Sequence, residues 1–457
     1  MTGPLVHYAN LVSDLAVDLA EGGALRAWAE QAPREVWLLR PGDVLVSPVE
    51  IGEEFLAYAC ALTGVPRASL AVVADPGAFG AAARPGPHPA AAAVRAAAGS
   101  RVPAAVLPTA LDASAVALAR ELGTPVHPYA TADDAEAALE VTRLLNTKAG
   151  FREAGRALGM RLPDGRVCRR GGVAAAVARM LRAHGEVVVK PDRSAGGHGM
   201  LFLSADAGPW TARGLAAVGG ERGMWVVEER IDAVRSVSVQ METGPHGPRT
   251  LFTGEMRTVE GAFAGYAAPL PEGSAGLGAV LEEWGGALGR YLAERGYAGP
   301  FGLDAMVSAD GVPYAGESNV RRTATTTPQA MAARLAAAAG YGERAWATGR
   351  VRAEPGLRFG SAVARLRAEG LAYDPARCEG VVLYAGAPAR GPPGATRCWP
   401  PTSPGHCGTR HCSTPPGRPR GDPTRCERVV LYTRASAQGA ARHYAPPDLA
   451  RHCSAPP

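Results

Sequence analysis

Three side chains with oxygen donors fall together in residues 301–319, a stretch whose pattern predicts a β-hairpin. An Asp-Gly pair in its middle is the preferred two-residue connection of a tight hairpin. With that turn, Asp304 lies directly opposite Glu317, and Asn319 lies on the same face because side chains alternate along a strand. Two carboxylates and an amide suit a Mg²⁺ ion that also holds substrate phosphates. The alternative is a polar hairpin face in contact with solvent.

The chain contains only two lysines, Lys148 and Lys190, although Lys and Arg together number 48. Because Arg serves as the general cation here, a remaining Lys points to a place that needs a compact charge, such as a phosphate pocket. Lys190 ends a predicted buried strand and begins the loop KPDRSAGGHG (190–199), whose glycines let backbone N–H groups approach an anion. The spacing is not that of a P-loop. The alternatives are chance surface lysines and a flexible hairpin loop.

Two further segments carry weaker signals. The segment WVVEERI (225–231) is a strand that ends in two acids and can offer backbone and carboxylate contacts to adenine, with an ordinary sheet strand as the alternative. The segment VRRTATTTP (320–328) follows the hairpin directly. Its arginines, Arg321 and Arg322, could neutralise an acyl phosphate and the oxyanion formed when an amine attacks it. A surface Arg pair is the alternative.

The elements that carry these residues change character along the chain. Up to about residue 145, short apolar runs alternate with helical stretches, which favours a parallel α/β sheet. The predicted strands cover 36–39, 43–47, 69–75 and 104–109, and the predicted helices cover 53–64 and 113–123. Asn146 is expected to cap a helix that runs to about Leu158, which places Lys148 in the first turn.

From residue 186 to about 345 the pattern predicts hairpins. The predicted strands cover 186–190, 200–204, 225–229, 237–243, 250–256, 301–307 and 312–319, and a helix is predicted around 277–295. Thr327-Pro328 is expected to open a last helix, with Pro at its first position.

Composition narrows the class of protein. Hydrophobic residues make up 47% and charged residues 20%, the balance of a globular protein. No run reaches the roughly 18 apolar residues of a membrane helix. The start, MTGPLVHYAN, lacks a signal-peptide pattern, so we expect a cytoplasmic protein without a membrane partner. The net charge of +5 comes without a basic stripe, so no nucleic-acid partner is expected. The scattered cysteines favour reduced thiols.

The last segment, residues 386–457, is Pro-, Gly- and Arg-rich without apolar periodicity, and we expect it to be poorly ordered. The sequence RCEGVVLY (377–384) recurs there as RCERVVLY (425–432). This repeat leads to the hypothesis that the tail is an out-of-frame or rearranged C-terminus. A zinc site made by the irregularly spaced Cys and His of the tail is a minor alternative.

The order of these features along the chain resembles that of the ATP-grasp superfamily. The features are Lys148, Lys190 with its glycine loop, the VEERI segment, Asp304 and the E-S-N of 317–319. The resemblance covers about residues 146 to 345. It implies an α/β N-terminal (pre-ATP-grasp) domain over 1–145, an α+β ATP-grasp domain over 146–345, a C-terminal remnant over 346–385, and a disordered or aberrant tail over 386–457.

Within the superfamily, the NTK entry and ESNVRRTATTTP look most like actinobacterial peptide ligases of the pheganomycin-synthase type. Those enzymes join a nonproteinogenic amino-acid carboxylate to the amine of a peptide. The implied cofactors are ATP and Mg²⁺. The implied substrates are a small amino-acid-like carboxylate and an amine or peptide, and the resemblance leaves a homodimer open.

The resemblance also implies a role for each matched residue. Phosphates would be held by Lys148 and Lys190 and covered by Gly196, Gly197, His198 and Gly199. Adenine would meet Glu228 and the backbone of Glu229 and Ile231, and Mg²⁺ would bind Asp304, Glu317 and Asn319. Arg321 would lie near the transferring phosphate, and Arg257 is a looser candidate for a substrate carboxylate.

Two departures limit the resemblance. The acid that often binds ribose is missing after the VEERI segment, where only Arg235 and Ser236 follow, and Gly302 stands where D-alanine-ligase-like members carry Arg. The expected activity is ATP-dependent amide or peptide bond formation through an acyl phosphate, with ADP and phosphate as products, in peptide natural-product (antibiotic) biosynthesis. The alternative is a non-catalytic or decayed ATP-binding relative.

Overall fold

The computed structural model describes residues 3–13, 15, 28–75, 77, 87–194, 199–207, 223–259, 262–352, 357–386 and 427–434. None of the helices in these ranges is long and apolar enough to cross a membrane.

Strands in the described ranges form three sheets. They are β1 (Leu5–Tyr8), β2 (Val44–Ser47), β3 (Ala71–Ala74), β4 (Ala105–Pro108), β5 (Gly165–Arg169), β6 (Glu186–Pro191), β7 (Leu201–Ser204), β8 (Met224–Glu229), β9 (Ala233–Gly244), β10 (Gly247–Val259), β11 (Ala262–Ala268), β12 (Gly299–Ser308), β13 (Pro313–Asn319), β14 (Ala345–Arg352), β15 (Gly380–Leu383) and β16 (Glu427–Arg434).

The α-helices of the described ranges connect and cover these sheets. They are α1 (Glu53–Thr63), α2 (Ala91–Ala98), α3 (Ala113–Leu122), α4 (Ala132–Ala137), α5 (Leu139–Leu145), α6 (Lys148–Ala157), α7 (Val173–His184), α8 (Ala275–Ala293), α9 (Thr326–Ala338) and α10 (Phe359–Ala368).

The N-terminal part contains the predicted parallel sheet, in the order β3-β2-β1-β4. Its central strands are apolar on both faces, as expected of parallel strands covered by helices, and Val6, Val46 and Val106 are fully buried. The strand predicted at 36–39 is wrong: Ala32–Leu38 is a 3-10 helix with Pro33 in its first turn. The pattern missed β1, which is one of the two central strands.

A four-stranded antiparallel sheet, β5-β8-β6-β7, carries Lys190 at the end of β6. Helix α7 covers one face of this sheet, where Val177, Val187 and Val227 form a small core of their own. The remaining strands form one large sheet in the order β13-β12-β9-β10-β11-β14-β16-β15. Helix α8 packs on one face of the large sheet, and Leu281 and Leu288 are fully buried there.

The hairpin β12–β13 pairs Asp304 with Glu317, as predicted. The predicted two-residue turn is wrong, however. The Gly311 N–H donates to the Ser308 carbonyl at 2.9 Å, and Gly311 has φ +83°, so the connection is one residue longer. A register shift between Asp304 and Ala305 then restores the pairing. The extra residue in the turn and the one-residue register shift therefore cancel at Asp304 and Glu317.

Helix α6 begins at Lys148, one residue later than a cap at Asn146 requires. Its N-cap is Thr147, whose hydroxyl accepts a hydrogen bond from the Gly150 N–H at 3.0 Å. Helix α9 likewise begins at Thr326, so Pro328 occupies its third position rather than its first.

The C-terminal part shares the large sheet. Strand β14 begins at Ala345, so the predicted boundary between residues 345 and 346 falls inside a strand. Strand β16, which contains the second copy of the VVLY repeat, lies between β14 and β15 and is antiparallel to both. The rest of the predicted tail from residue 387 onward lies outside the described residues.

Candidate active site

The paired carboxylates of Asp304 and Glu317 are the centre of the site. The Nδ2 of Asn319 donates a hydrogen bond to Asp304 Oδ2 at 3.0 Å, so all three predicted oxygen donors share one face of the hairpin. Burial, reinforced by the charge of Glu317, raises the pKa of Asp304 to about 7. Burial also opposes ionisation of Glu317, but the charge and hydrogen bond of Lys148 hold the Glu317 pKa below its ordinary value. The site therefore concentrates negative charge that a cation can stabilise.

Lys148 connects this hairpin to the glycine loop. Its Nζ lies 3.2 Å from Glu317 Oε2 and donates to the Ser194 carbonyl at 3.0 Å. The first turn of its helix is tethered to the same loop, because the Ala149 N–H donates to Asp192 Oδ1 at 2.8 Å. A cation held on a helix N-terminus beside a loop is well placed for an anionic ligand.

Lys190 lies on the small sheet and pairs with Glu228 of β8. The two residues share a face, because Val188, two residues before Lys190, is directly opposite Glu228. The second oxygen of Glu228 is taken by Arg152 of α6. The Glu228 carboxylate is therefore enclosed between two cations, which differs from the expected adenine contact.

The segment after β8 is held by a small cluster. The Glu229 N–H donates to the Asp164 carbonyl at 2.9 Å, and the Glu229 carboxylate accepts from the Asp164 N–H at 2.7 Å. His184 lies 3.4 Å from the same carboxylate. Because the Glu229 N–H is already used, the expected backbone contact of Glu229 with adenine would be made by its carbonyl oxygen. The Ile231 carbonyl accepts from the Ala233 N–H at 2.9 Å, so an adenine contact by Ile231 would use its N–H.

Arg321 lines the same recess as Lys148 and Glu317, which has about 260 Å³ of open space. Its Nη1 donates to Asn319 Oδ1 at 2.6 Å and to Asn146 Oδ1 at 3.3 Å. Burial lowers the pKa of the Arg321 guanidinium from its ordinary value. The recess is lined by cationic, carboxylate and amide side chains, which are groups suited to phosphate oxygens and a metal ion.

Asn146 is a site residue whose role the sequence pattern missed. Its Oδ1 accepts from the Val320 N–H at 3.1 Å and its Nδ2 donates to the Val320 carbonyl at 3.2 Å. Asn146 therefore fixes the chain just before Arg321. The only sequence signal was its position two residues before Lys148, where it was interpreted as a helix cap.

Two predicted arginines lie elsewhere. Arg322 points to the N-terminal part, where its Nη2 lies 3.6 Å from Glu35 Oε2.

The face on which Arg257 lies follows from the strand register. Arg257 follows Glu255 at an interval of two along β10, so its side chain lies on the same face of the sheet as that of Glu255. Glu255 is paired with Val237, and Asp304 is paired with Ser238. Val237 and Ser238 are consecutive in β9, so their side chains lie on opposite faces of the sheet. Arg257 is therefore on the opposite face of the sheet from Asp304 and Glu317.

The glycine loop is described only in part. Gly196, Gly197 and His198 lie outside the described residues. Gly199 has φ +74°, and a Cβ there would approach Pro191 Cγ at 3.1 Å, so this position favours glycine.

The donor set fits Mg²⁺ rather than a softer metal. No group of three Cys, His, Asp or Glu residues suited to a metal occurs in the described part of the chain. Two facing carboxylates and one amide remain, and such oxygen ligands suit a Mg²⁺ ion that completes its shell with water and phosphate oxygens. The Asn319 oxygen now accepts from Arg321, so a rotation of the amide would present it to the metal.

Comparisons with known proteins concern the fold of the chain. Residues 32–124 match the family model described as the Pre ATP-grasp domain, and residues 361–392 match the PGM1 C-terminal domain. No curated protein sequence matches the chain.

Solved structures show the same fold at low sequence identity. The N5-carboxyaminoimidazole ribonucleotide synthetase of Thermus thermophilus has a TM-score of 0.53 at 15% identity and covers 95% of each chain. Carboxyaminoimidazole ribonucleotide synthase from Aspergillus clavatus, complexed with ATP, has a TM-score of 0.54 at 12% identity and covers 99% of each chain. A complex of the Aspergillus clavatus enzyme with ADP and 5-aminoimidazole ribonucleotide has a TM-score of 0.52 at 14% identity and covers 98% of this chain and 99% of the other.

The chain therefore has an ATP-grasp-like fold preceded by an N-terminal α/β domain, which confirms the predicted fold class.

Proposed function

We propose that this protein is an ATP- and Mg²⁺-dependent ligase that activates a carboxylate as an acyl phosphate and joins it to an amine. The observation that carries the proposal is the contact between Lys148 and Glu317. It brings the loop that follows Lys190 and the carboxylate face of the large sheet to one recess. Phosphoryl transfer needs this combination of cations around phosphate and oxygen ligands for a metal.

Each group has a chemical task in this proposal. Lys148 and Lys190 bind phosphate oxygens of ATP, while Asp304, Glu317 and Asn319 hold Mg²⁺. The metal would neutralise charge on the transferring phosphoryl group. Arg321 lies beside these ligands and stabilises the charge that develops on the acyl phosphate and on the oxyanion formed by amine attack.

Glu228 acts through Lys190 rather than on adenine. Its carboxylate pairs with the ammonium group of Lys190, whose side chain is only 12% exposed. Arg152 holds the other Glu228 oxygen and so fixes the direction in which Lys190 is presented. A phosphate oxygen can then share the Lys190 ammonium, because Lys has three donors.

The structural neighbours support the nucleotide part of the proposal, since they include complexes with ATP and with ADP plus an aminoimidazole ribonucleotide. For the substrates, we propose an amino-acid-like carboxylate and an amine or peptide acceptor, with a role in peptide natural-product biosynthesis. This part is supported by the resemblance of ESNVRRTATTTP to peptide ligases. We also propose a cytoplasmic location.

The test is substrate-dependent ADP release. The protein is incubated with ATP, Mg²⁺ and pools of amino acids and short peptides, and ADP is measured by a coupled assay. Lys190→Ala should abolish ADP release, whereas Arg290→Ala, an exposed position on α8, should leave it unchanged. Full activity of Lys190→Ala would overturn the phosphate assignment. Tight ATP binding without ADP release in every pool would identify a non-catalytic ATP-binding relative instead.

A further inference from the structure

A second cluster of charged groups lies where the N-terminal part contacts the segment between β13 and α9. It consists of Arg34, Glu35 and Arg322, the residue that follows Arg321. Glu35, only 2% exposed, is flanked by two arginines. Its Oε1 lies 3.8 Å from Arg34 Nε, and its Oε2 lies 3.6 Å from Arg322 Nη2. The Thr327 hydroxyl also donates to Glu35 Oε1, at 3.2 Å.

This cluster contains more positive than negative charge. Two guanidinium groups share one carboxylate, and Arg34 is only 5% exposed. The charge of Arg34 also reaches Arg321, whose pKa it helps to lower after the larger effect of burial. Burying a cation without a matching anion is costly, so such a surplus points to an anionic group that arrives with a ligand.

Arg34 is also incompletely hydrogen-bonded. Charge-assisted N–H···O bonds are usually about 2.7–2.9 Å long, and both contacts with Glu35 are longer than that. Arg34 donates from Nη1 to Gln31 Oε1 at 3.0 Å, but its buried Nε makes no hydrogen bond within the described residues. Donors therefore remain for an additional acceptor.

The position of the cluster relates it to the proposed reaction. Arg321 and Arg322 are consecutive, so their Cα atoms are about 3.8 Å apart. Arg321 faces the carboxylates and Asn319, whereas Arg322 faces Glu35. The charge of Arg34 nevertheless acts on Arg321, so a group bound by Arg34 and Arg322 would lie on the Arg321 side of the N-terminal part, near the place where the acyl phosphate would form.

We propose that Arg34 and Arg322 bind the carboxylate of the amine substrate, and that this substrate is a free α-amino acid. The inference rests on the proposed ligase function and deepens it. In an α-amino acid the amine and the carboxylate are separated by one carbon. The carboxylate can therefore be held at the cluster while the amine reaches the neighbouring acyl phosphate. In a long peptide the C-terminal carboxylate is far from the reacting amine.

The experiment is a competition between two acceptor types. The full-length protein receives ATP, Mg²⁺, the twenty standard α-amino acids, and an equal concentration of their carboxamides. Mass spectrometry then gives the ratio of dipeptides that end in a free acid to those that end in an amide. Because both acceptors compete in one tube, the ratio does not depend on how much folded enzyme is present.

We expect wild type to favour acid-terminated products by roughly 10- to 100-fold, as for loss of a hydrogen bond to a charged group. Arg34→Gln should lower the ratio several-fold, because Arg322 alone then contacts the carboxylate, and Arg34→Lys should lower it less. Arg67→Gln, which breaks an exposed pair with Glu53 in the same domain, should keep the wild-type ratio.

Three results would overturn the inference. Wild type could form both products equally, a result that needs no variant. Arg34→Gln could keep the wild-type ratio. ADP release that occurs only with peptide acceptors would refute the amino-acid acceptor while leaving the ligase function intact. Absence of ADP release in every mixture would instead refute the proposed function, and this inference with it.

Discussion

Removing Glu228 tests how the small sheet presents Lys190. Glu228 is 3% exposed, and its two oxygens contact Arg152 and Lys190. Arg152 is only 2% exposed, and it also donates a hydrogen bond to the Pro163 carbonyl. In Glu228→Ala it would keep that hydrogen bond but lose its carboxylate partner. Breaking a buried ion pair from one side typically costs about 3–5 kcal/mol, because a charge stays buried without its partner.

The assay is thermal unfolding followed by the fluorescence of the seven tryptophans of the chain. One of them, Trp225, lies in this sheet on β8 and is 4% exposed. For units of 150–250 residues, a loss of 1 kcal/mol lowers Tm by about 2–4 °C, so Glu228→Ala should lower Tm by roughly 6–20 °C. Glu228→Gln should lose less, since its amide oxygen still accepts one hydrogen bond.

The matched control is Glu53→Ala, which removes a carboxylate from a bidentate pair with Arg67 at the surface. Because that carboxylate side chain is 67% exposed, its removal should change Tm far less. Equal Tm changes in Glu228→Ala and Glu53→Ala would refute the claim that a buried charge cluster supports Lys190. A second readout is the Kd for ATP, which should rise in Glu228→Gln because Lys190 loses its orientation.

The remaining predictions concern other parts of the site. Asn146→Ala should lower the rate of ADP formation about 10- to 100-fold in steady-state kinetics, because Arg321 and the Val320 backbone lose hydrogen bonds; an unchanged rate would contradict this positioning role. Gly302→Ala should lower Tm, since its Cβ would lie 2.7 Å from Gln240, whereas Gly276→Ala, with open space around it, should not. EDTA should abolish ADP release and added Mg²⁺ should restore it, and activity that resists EDTA would exclude a metal at Asp304. Deletion from residue 387 onward should lower Tm, because β14 and β15 both lose their partner β16; an unchanged Tm would show that this strand is dispensable.

Local pattern predicted the parts of the site that one hairpin or one helix contains. Asp304 and Glu317 are opposite each other as expected, although the turn is longer and a register shift compensates for it. The agreement at this pair was therefore partly fortunate, because hairpin arithmetic cannot detect two changes that cancel. Lys148 falls in the first turn of a helix whichever of Asn146 and Thr147 is the cap.

Contacts between distant elements could not be predicted from pattern. Glu228 is 76 residues from Arg152, and their pairing depends on how α6 packs against β8. Arg322 contacts Glu35 only because the 3-10 helix Ala32–Leu38 packs beside α9, and the pattern had assigned part of that helix to a strand. The sequence pattern also did not predict the face of the large sheet on which Arg257 lies, because that face depends on the register between strands.

The central claim is tested most directly by the nucleotide that the protein produces. Phosphorus NMR of the protein with ATP, Mg²⁺ and an accepted substrate pair resolves ADP and phosphate from AMP and pyrophosphate. An acyl-phosphate ligase predicts ADP and phosphate in equal amounts, matched by the amide product. Formation of AMP and pyrophosphate, or amide formation without consumption of ATP, would contradict the account.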